Sequence, residues 1–182
     1  MINFATCRFL LPMLFLALIL ASCNTNHTRK IDGQEYTATE VKGSGHVFLE
    51  TKKFSGVIFK YTANESSSWD STGFTPTIEE IFNAERIFQH CLEVKKIGSD
   101  GMDIELKRIQ HPSKYYRQYV GHYNAKGEKI IFMNCMAKVV ASTSDDWKQR
   151  KKLVRDGGNN YFSIEINIES QDCSSFMVNM RS

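Results

Sequence analysis

The side chains best placed to do chemistry lie in the second half of the chain. Tyr115, Arg117, Tyr119 and Tyr123 recur at alternate positions, so on a strand they share one face. Tyr and Arg are the residues enriched where binding energy concentrates. Phe132 on the following segment joins them as a candidate contact. This aromatic face either remains open for a partner or is covered by the segment from His46 to Phe74. A second candidate is the polar loop Asp156-Gly157-Gly158-Asn159-Asn160, whose carboxylate and amide oxygens at Asp156, Asn159 and Asn160 suit a cation or a sugar. The competing reading is that the paired glycines simply permit positive φ before a strand. No catalytic set emerges: the sequence lacks a G-x-S-x-G elbow, an H-E-x-x-H pair, a P-loop and a dinucleotide fingerprint. The five histidines, His27, His46, His90, His111 and His122, have no nucleophile at a meaningful local spacing. Asp145 and Asp146 read as first-turn acids of a helix rather than a catalytic pair. No catalytic residue, metal ligand or cofactor is assigned.

The cysteines are compatible with several arrangements. Cys91, Cys135 and Cys173 allow one disulfide by any of three pairings plus a free thiol, or three buried unpaired thiols. No C-x-x-C or Cys/His spacing indicates zinc. Lys148, Arg150, Lys151, Lys152 and Arg155 form a basic run that either solvates a helix face or touches anionic headgroups.

The elements that must position these residues follow from periodicity. A helix is expected from about Thr77 to Lys96: Thr77 and Glu80 have capping-box spacing, Gly98 follows the end, and Ile78, Ile81, Phe82, Ala84, Ile87, Phe88, Cys91 and Leu92 make one apolar stripe. Strands are expected over His46–Thr51, Ser55–Thr62, Met102–Leu106, Tyr115–Tyr123, Glu128–Lys138, Phe162–Ile168 and Phe176–Met180, with a hairpin turn at Asn124–Gly127. A short basic helix runs from Asp145 to about Val154. The expected class is α+β: one long helix packed on a curled antiparallel sheet, cystatin-like by element order, with an extra N-terminal hairpin and a short second helix.

Composition fits one globular domain, with 182 residues, 42% hydrophobic and 24% charged. The apolar residues are uneven. Phe9 to Ala21 carries no charge and follows Arg8, as in an export signal. Thirteen helical residues rise only about 20 Å, short of a bilayer core of roughly 30 Å, which disfavours a permanent span. Leu20-Ala21-Ser22-Cys23 resembles the lipobox of bacterial lipoproteins, which implies cleavage before Cys23 and its lipidation. The resulting organisation is residues 1–22 as signal peptide, 23–44 as lipidated cysteine and flexible tether, and 45–182 as a single domain. Losing the signal removes one arginine, so the net charge falls from +3 to +2. Such a balance gives no reason to expect nucleic acid. Asn24 rather than Asp after the cysteine implies, by the same resemblance, the periplasmic leaflet of the outer membrane.

Arg117-Gln118-Tyr119, Gly121, Asn124, Gly127-Glu128-Lys129-Ile130-Ile131 and Asp156-Gly157-Gly158 stand in an order that resembles small cell-envelope lipoproteins of the Bacteroidota, over roughly the last 108 residues. That family has no established activity, so the resemblance implies location and fold but no catalytic residue. The function expected is a membrane-anchored, non-enzymatic binding or interaction module with an envelope protein or peptidoglycan-like partner. The alternatives are an envelope hydrolase acting on a glycan or ester, and a small-ligand carrier.

Overall fold

The capping box forms as its spacing predicts: Thr77 N–H donates to Glu80 Oε2 at 2.8 Å, and Glu80 N–H donates back to Thr77 Oγ1 at 3.2 Å. It opens helix α1, Ile78–Val94, whose buried face is Ile81, Phe82, Ala84, Glu85, Ile87, Phe88, Cys91 and Leu92. The computed structural model describes residues 28–63, 72–94, 109, 111–141, 144–152, 154 and 156–179. The signal segment, Cys23 and the strand expected at Met102–Leu106 lie outside the described residues.

The rest of the chain is dominated by one sheet. Its strands are β1 Arg29–Ile31, β2 Gln34–Val41, β3 His46–Thr51, β4 Ser55–Ile58, β5 Gly73–Phe74, β6 Tyr115–Tyr123, β7 Lys129–Ala137, β8 Tyr161–Asn167 and β9 Asp172–Val178. They lie in the order β1-β2-β3-β4-β6-β7-β8-β9, with β5 also paired to β6. Every pairing is antiparallel except β4 with β6, which is parallel from Ser55 opposite Tyr116 to Ile58 opposite Tyr119. The β6–β7 hairpin is in full register from Tyr115–Ala137 to Tyr123–Lys129, and Gly127 at its turn has φ 79°.

This architecture corrects the expected fold class. The described residues form a nine-stranded mixed sheet, not a curled antiparallel sheet wrapped on a helix. The reason lies in the connection through α1. A parallel pair needs a long crossover, and the helix between β4 and β6 supplies it. The crossover returns the chain beside β4, so the N-terminal strands and the C-terminal meander fuse into one sheet instead of forming an extra hairpin. The tether is corrected too: Arg29–Val41, assigned to residues 23–44 as flexible, forms β1 and β2. Their turn is Asp32-Gly33 with φ 50° and 75°, the left-handed pair that two-residue hairpins favour. The second helix shrinks to a 3₁₀ turn, Asp145–Lys148, preceded by a single α-turn, α2 Lys138–Ala141.

One cluster of apolar residues fills the space between α1 and the sheet, where Ile81, Ile87 and Phe88 meet Tyr119, Met133, Phe162 and Ile164. Gly56 allows the close β4–β6 approach there. A Cβ at that position would lie 2.6 Å from both the Arg117 carbonyl oxygen and Tyr119 Cε2. Gly56→Ala is expected to cost about 1–3 kcal/mol through overpacking, read as a lower urea midpoint at unchanged slope. An unchanged midpoint would mean that the strands can separate freely.

Candidate functional site

The expected aromatic face does not form as a surface. Tyr115, Arg117 and Tyr119 all point under α1, with Arg117 1% and Tyr119 0% exposed. Phe132 sits opposite Val120 on the reverse face of the sheet, half-buried. Only Tyr123 is exposed, at the hairpin end, where its ring centre lies 5.2 Å from that of Phe74. The sequence pattern identified a real face and misjudged which layer covers it.

Under the helix that face carries a charged core. Arg117 Nε lies 2.6 Å from Glu85 Oε1, and Tyr119 donates its hydroxyl to the same oxygen at 2.7 Å. Arg117 Nη1 also donates to the Tyr115 carbonyl at 2.8 Å. Burial pushes the Glu85 carboxyl up, while Arg117 and the Tyr119 hydroxyl pull it partly back. Burial also opposes the charge on Arg117, but Glu85 and the neighbouring acidic groups outweigh it and hold its pKa above the ordinary value. Tyr119 is pushed well up, first by burial and then by Glu85. Cys135, the free thiol, is fully buried beside them; burial raises its pKa far enough that it stays protonated and packs as a small hydrophobe. Glu85 was missed by the sequence reading, although it interrupts the stripe between Ile81 and Phe88 at helical spacing.

Among the described residues, the segment from His46 to Phe74 contributes Phe48, Val57 and Phe59 to the reverse-face cluster, and a second layer covers that cluster. The 3₁₀ turn and the residues after it do this, led by Trp147, whose ring stacks on Tyr116 at 4.6 Å between centres. Gln118 anchors them from inside the sheet. Its amide nitrogen donates to the Trp147 and Arg150 carbonyls at 2.6 and 2.8 Å, and its oxygen accepts from Lys152 N–H at 2.9 Å and from Asn134 Nδ2 at 2.9 Å. Three members of the basic run meet carboxylates: Lys148 pairs with Asp145 at 3.0 Å, and Arg150 and Lys152 share Asp146 at 3.7 and 2.5 Å. The Lys152 hydrogen bond is the main reason the Asp146 carboxyl is held below its usual range. The two acids therefore offset part of the local positive charge, and Ser144 caps the turn by accepting from Asp146 N–H.

The polar loop and the aromatic face do meet, at one point. Tyr115 donates its hydroxyl to the Asn159 carbonyl at 2.6 Å, which fastens the 3₁₀ turn Gly158–Asn160 to the start of β6. Gly157 and Gly158 adopt φ 119° and 55°, so the glycine pair serves the turn. Asp156 and Asn160 are exposed and are not among the residues that line the cleft at this junction.

That cleft is the candidate site. It has a volume of about 630 Å³ at the end of the sheet where β6 begins and β7 ends. Tyr115, Ala137 and Val139 give it apolar lining, and His111, Ser113, Lys114, Lys138 and Asn159 give it polar groups. The size is that of a small-molecule site. The 3₁₀ turn Pro112–Lys114 delivers the first polar group of residues, and α2 the second. Ser113 and His111 are not hydrogen-bonded to each other among the described residues, so no nucleophile–base pair is assembled. Among the described residues, one group with metal-ligand chemistry lies elsewhere, Cys91, Asp172 and Cys173. Its two sulfurs are joined in a disulfide between α1 and β9, which removes both thiolates. Among the described residues no helix is long and apolar enough to cross a membrane. Comparison with protein-family models, curated proteins and solved structures finds no match.

Proposed function

We propose that the chain is a lipid-anchored cell-envelope lipoprotein whose folded domain is a non-enzymatic binding module. The observation that carries the binding role is the cleft: a concave surface of ligand size in which apolar walls and several polar side chains from separate elements converge. The location is supported by the lipobox Leu20-Ala21-Ser22-Cys23 together with the Cys91–Cys173 disulfide, a bond that persists in oxidising compartments such as the periplasm. Outer-membrane attachment on the periplasmic side remains the favoured placement, with Asn24 following the lipidated cysteine.

The ordered β1 shortens the tether this reading allows. Six chain steps separate Cys23 from Arg29, a reach of at most about 20 Å. The domain would therefore ride close to the headgroups with its β1 edge nearest the anchor. Expression in a bacterial host with labelled palmitate is expected to mark the wild-type chain and place it in the membrane fraction, whereas Cys23→Ala is unlabelled and retained as precursor. Palmitate labelling that survives the substitution would overturn the anchor.

A further inference from the structure

We propose that the cleft at the β6/β7 end recognises an organic anion carrying an apolar ring or chain, a ligand class that deepens the binding role above and rests on it. The first support is charge. Lys114 and Lys138 both line the cleft with His111, and among the described residues no carboxylate lines it. Neither lysine takes part in an ion pair among the described residues. This contrasts with the segment after α2, where Lys148, Arg150 and Lys152 each meet Asp145 or Asp146. An anion entering the cleft would therefore meet cations that have no carboxylate competitor among the described residues.

The second support is preorganisation. The Lys138 ammonium rests 5.2 Å from the centre of the Tyr116 ring, and that ring is itself stacked on the buried Trp147. Lys114 closes the Pro112–Lys114 turn directly before β6. The Tyr115–Asn159 hydrogen bond holds the wall between them. Less conformational freedom is lost when Lys138, held in this way, binds than when a free surface lysine does.

The third support is the apolar surface. Val139 is 74% exposed on α2, beside Ala137 and the Tyr115 ring. An inorganic anion would leave that surface wet; a ligand with a hydrophobic body would cover it while its headgroup reaches the lysines. The site thus favours molecules that carry both features. Phosphate and carboxylate headgroups share the required chemistry, since either accepts charge-assisted hydrogen bonds from ammonium groups.

The test uses the full chain in lipid nanodiscs, titrated calorimetrically with 1-naphthyl phosphate, 1-naphthoate, inorganic phosphate and uncharged 1-naphthol, with empty nanodiscs as reference. Saturable binding of at least one naphthyl anion is expected, at least roughly tenfold tighter than inorganic phosphate or naphthol. Lys114→Gln with Lys138→Gln should weaken that anion roughly tenfold or more, the scale of a lost charged contact, without moving the melting temperature. Val139→Ser should weaken the naphthyl anion and leave inorganic phosphate unchanged. No saturable binding of either naphthyl anion, equal binding of inorganic phosphate, or indifference to the lysine pair would each overturn the proposal. The mass of the same preparation reports the lipid on Cys23. A non-lipidated chain that binds the anions overturns the anchor alone, and a lipidated chain that binds neither overturns the cleft alone.

Discussion

Arg117→Ala is expected to destabilise the domain by about 3–5 kcal/mol, the range for removing one partner of a buried ion pair. The cost does not come from losing an attraction between exposed charges, which would be small. It comes from stranding Glu85, which is 5% exposed and would keep only the Tyr119 hydroxyl as a partner among the described residues. Its carboxyl is already raised by burial with Arg117 present, and without the guanidinium it rises further. The sign follows from linkage. A folded-state pKa above the unfolded one contributes stability that is fully present below the unfolded value, near pH 4, and is lost as pH rises through the folded value. The deficit of Arg117→Ala relative to wild type should therefore be smallest in mild acid and grow toward neutrality, in urea melts over a pH series. Replacing the whole group, Glu85→Leu with Arg117→Met and Tyr119→Phe, should recover most of the loss, because no polar atom of the three side chains is then left unsatisfied. A loss below 1 kcal/mol for Arg117→Ala, or a deficit that does not change with pH, would show that water reaches Glu85 in the folded protein.

The same three residues show what the sequence could and could not reveal. Alternation placed Tyr115, Arg117 and Tyr119 on one face correctly, since the two-residue period is a backbone property. It did not say which face meets the helix. Tyr and Arg are common at interfaces, so the pattern left an open surface and a covered face both in play until Glu85 supplied a buried countercharge. Glu85 itself sits at helical spacing from Ile81 and Phe88, and a charge inside an otherwise apolar stripe is the signal that could have identified it. The capping box and the β6–β7 hairpin were legible because their determinants are local: Thr77 and Glu80 are three residues apart, and Asn124 to Gly127 make their own turn. The Asp32-Gly33 turn was equally local but was lost among polar neighbours assigned to a tether.

What was not legible is long-range. The parallel β4–β6 pairing joins residues about sixty positions apart, and no local pattern distinguishes it from two separate hairpins. The covering of the reverse face depends on Gln118, a buried polar residue whose four hydrogen-bond partners come from β7 and from residues 147–152. In sequence it is one polar letter in an aromatic strand. The cleft has the same origin: Lys114, Lys138 and Asn159 are distant in the chain, and the β6–β7–β8 ladder brings them to one end of the sheet. Two of its residues, Tyr115 and Asn159, were selected as candidates for unrelated reasons, and their hydrogen bond is the link between those two readings.

Reducing the Cys91–Cys173 bond is the second change with a large expected effect. The two cysteines are 82 positions apart, and the loop they close contains β6, β7 and β8, the centre of the sheet. In the chain-entropy model a crosslink of that span removes about 4 kcal/mol worth of unfolded-state freedom, while native disulfides generally contribute about 2–5 kcal/mol. In a domain of this size that corresponds to a fall in melting temperature of roughly 5–15 °C under reducing conditions. Cys91→Ala with Cys173→Ala should reproduce the fall in the absence of reductant and abolish any further response to it. Cys135→Ala should leave the response to reductant intact, because that thiol is buried and unpaired. Alkylation of denatured but unreduced protein, read by peptide mass, should modify Cys135 and spare Cys91 and Cys173. An identical melting temperature with and without reductant would mean that α1 and β9 are held by packing alone; alkylation of Cys91 or Cys173 would mean that the bond does not form, and it would remove the strongest structural support for an oxidising compartment.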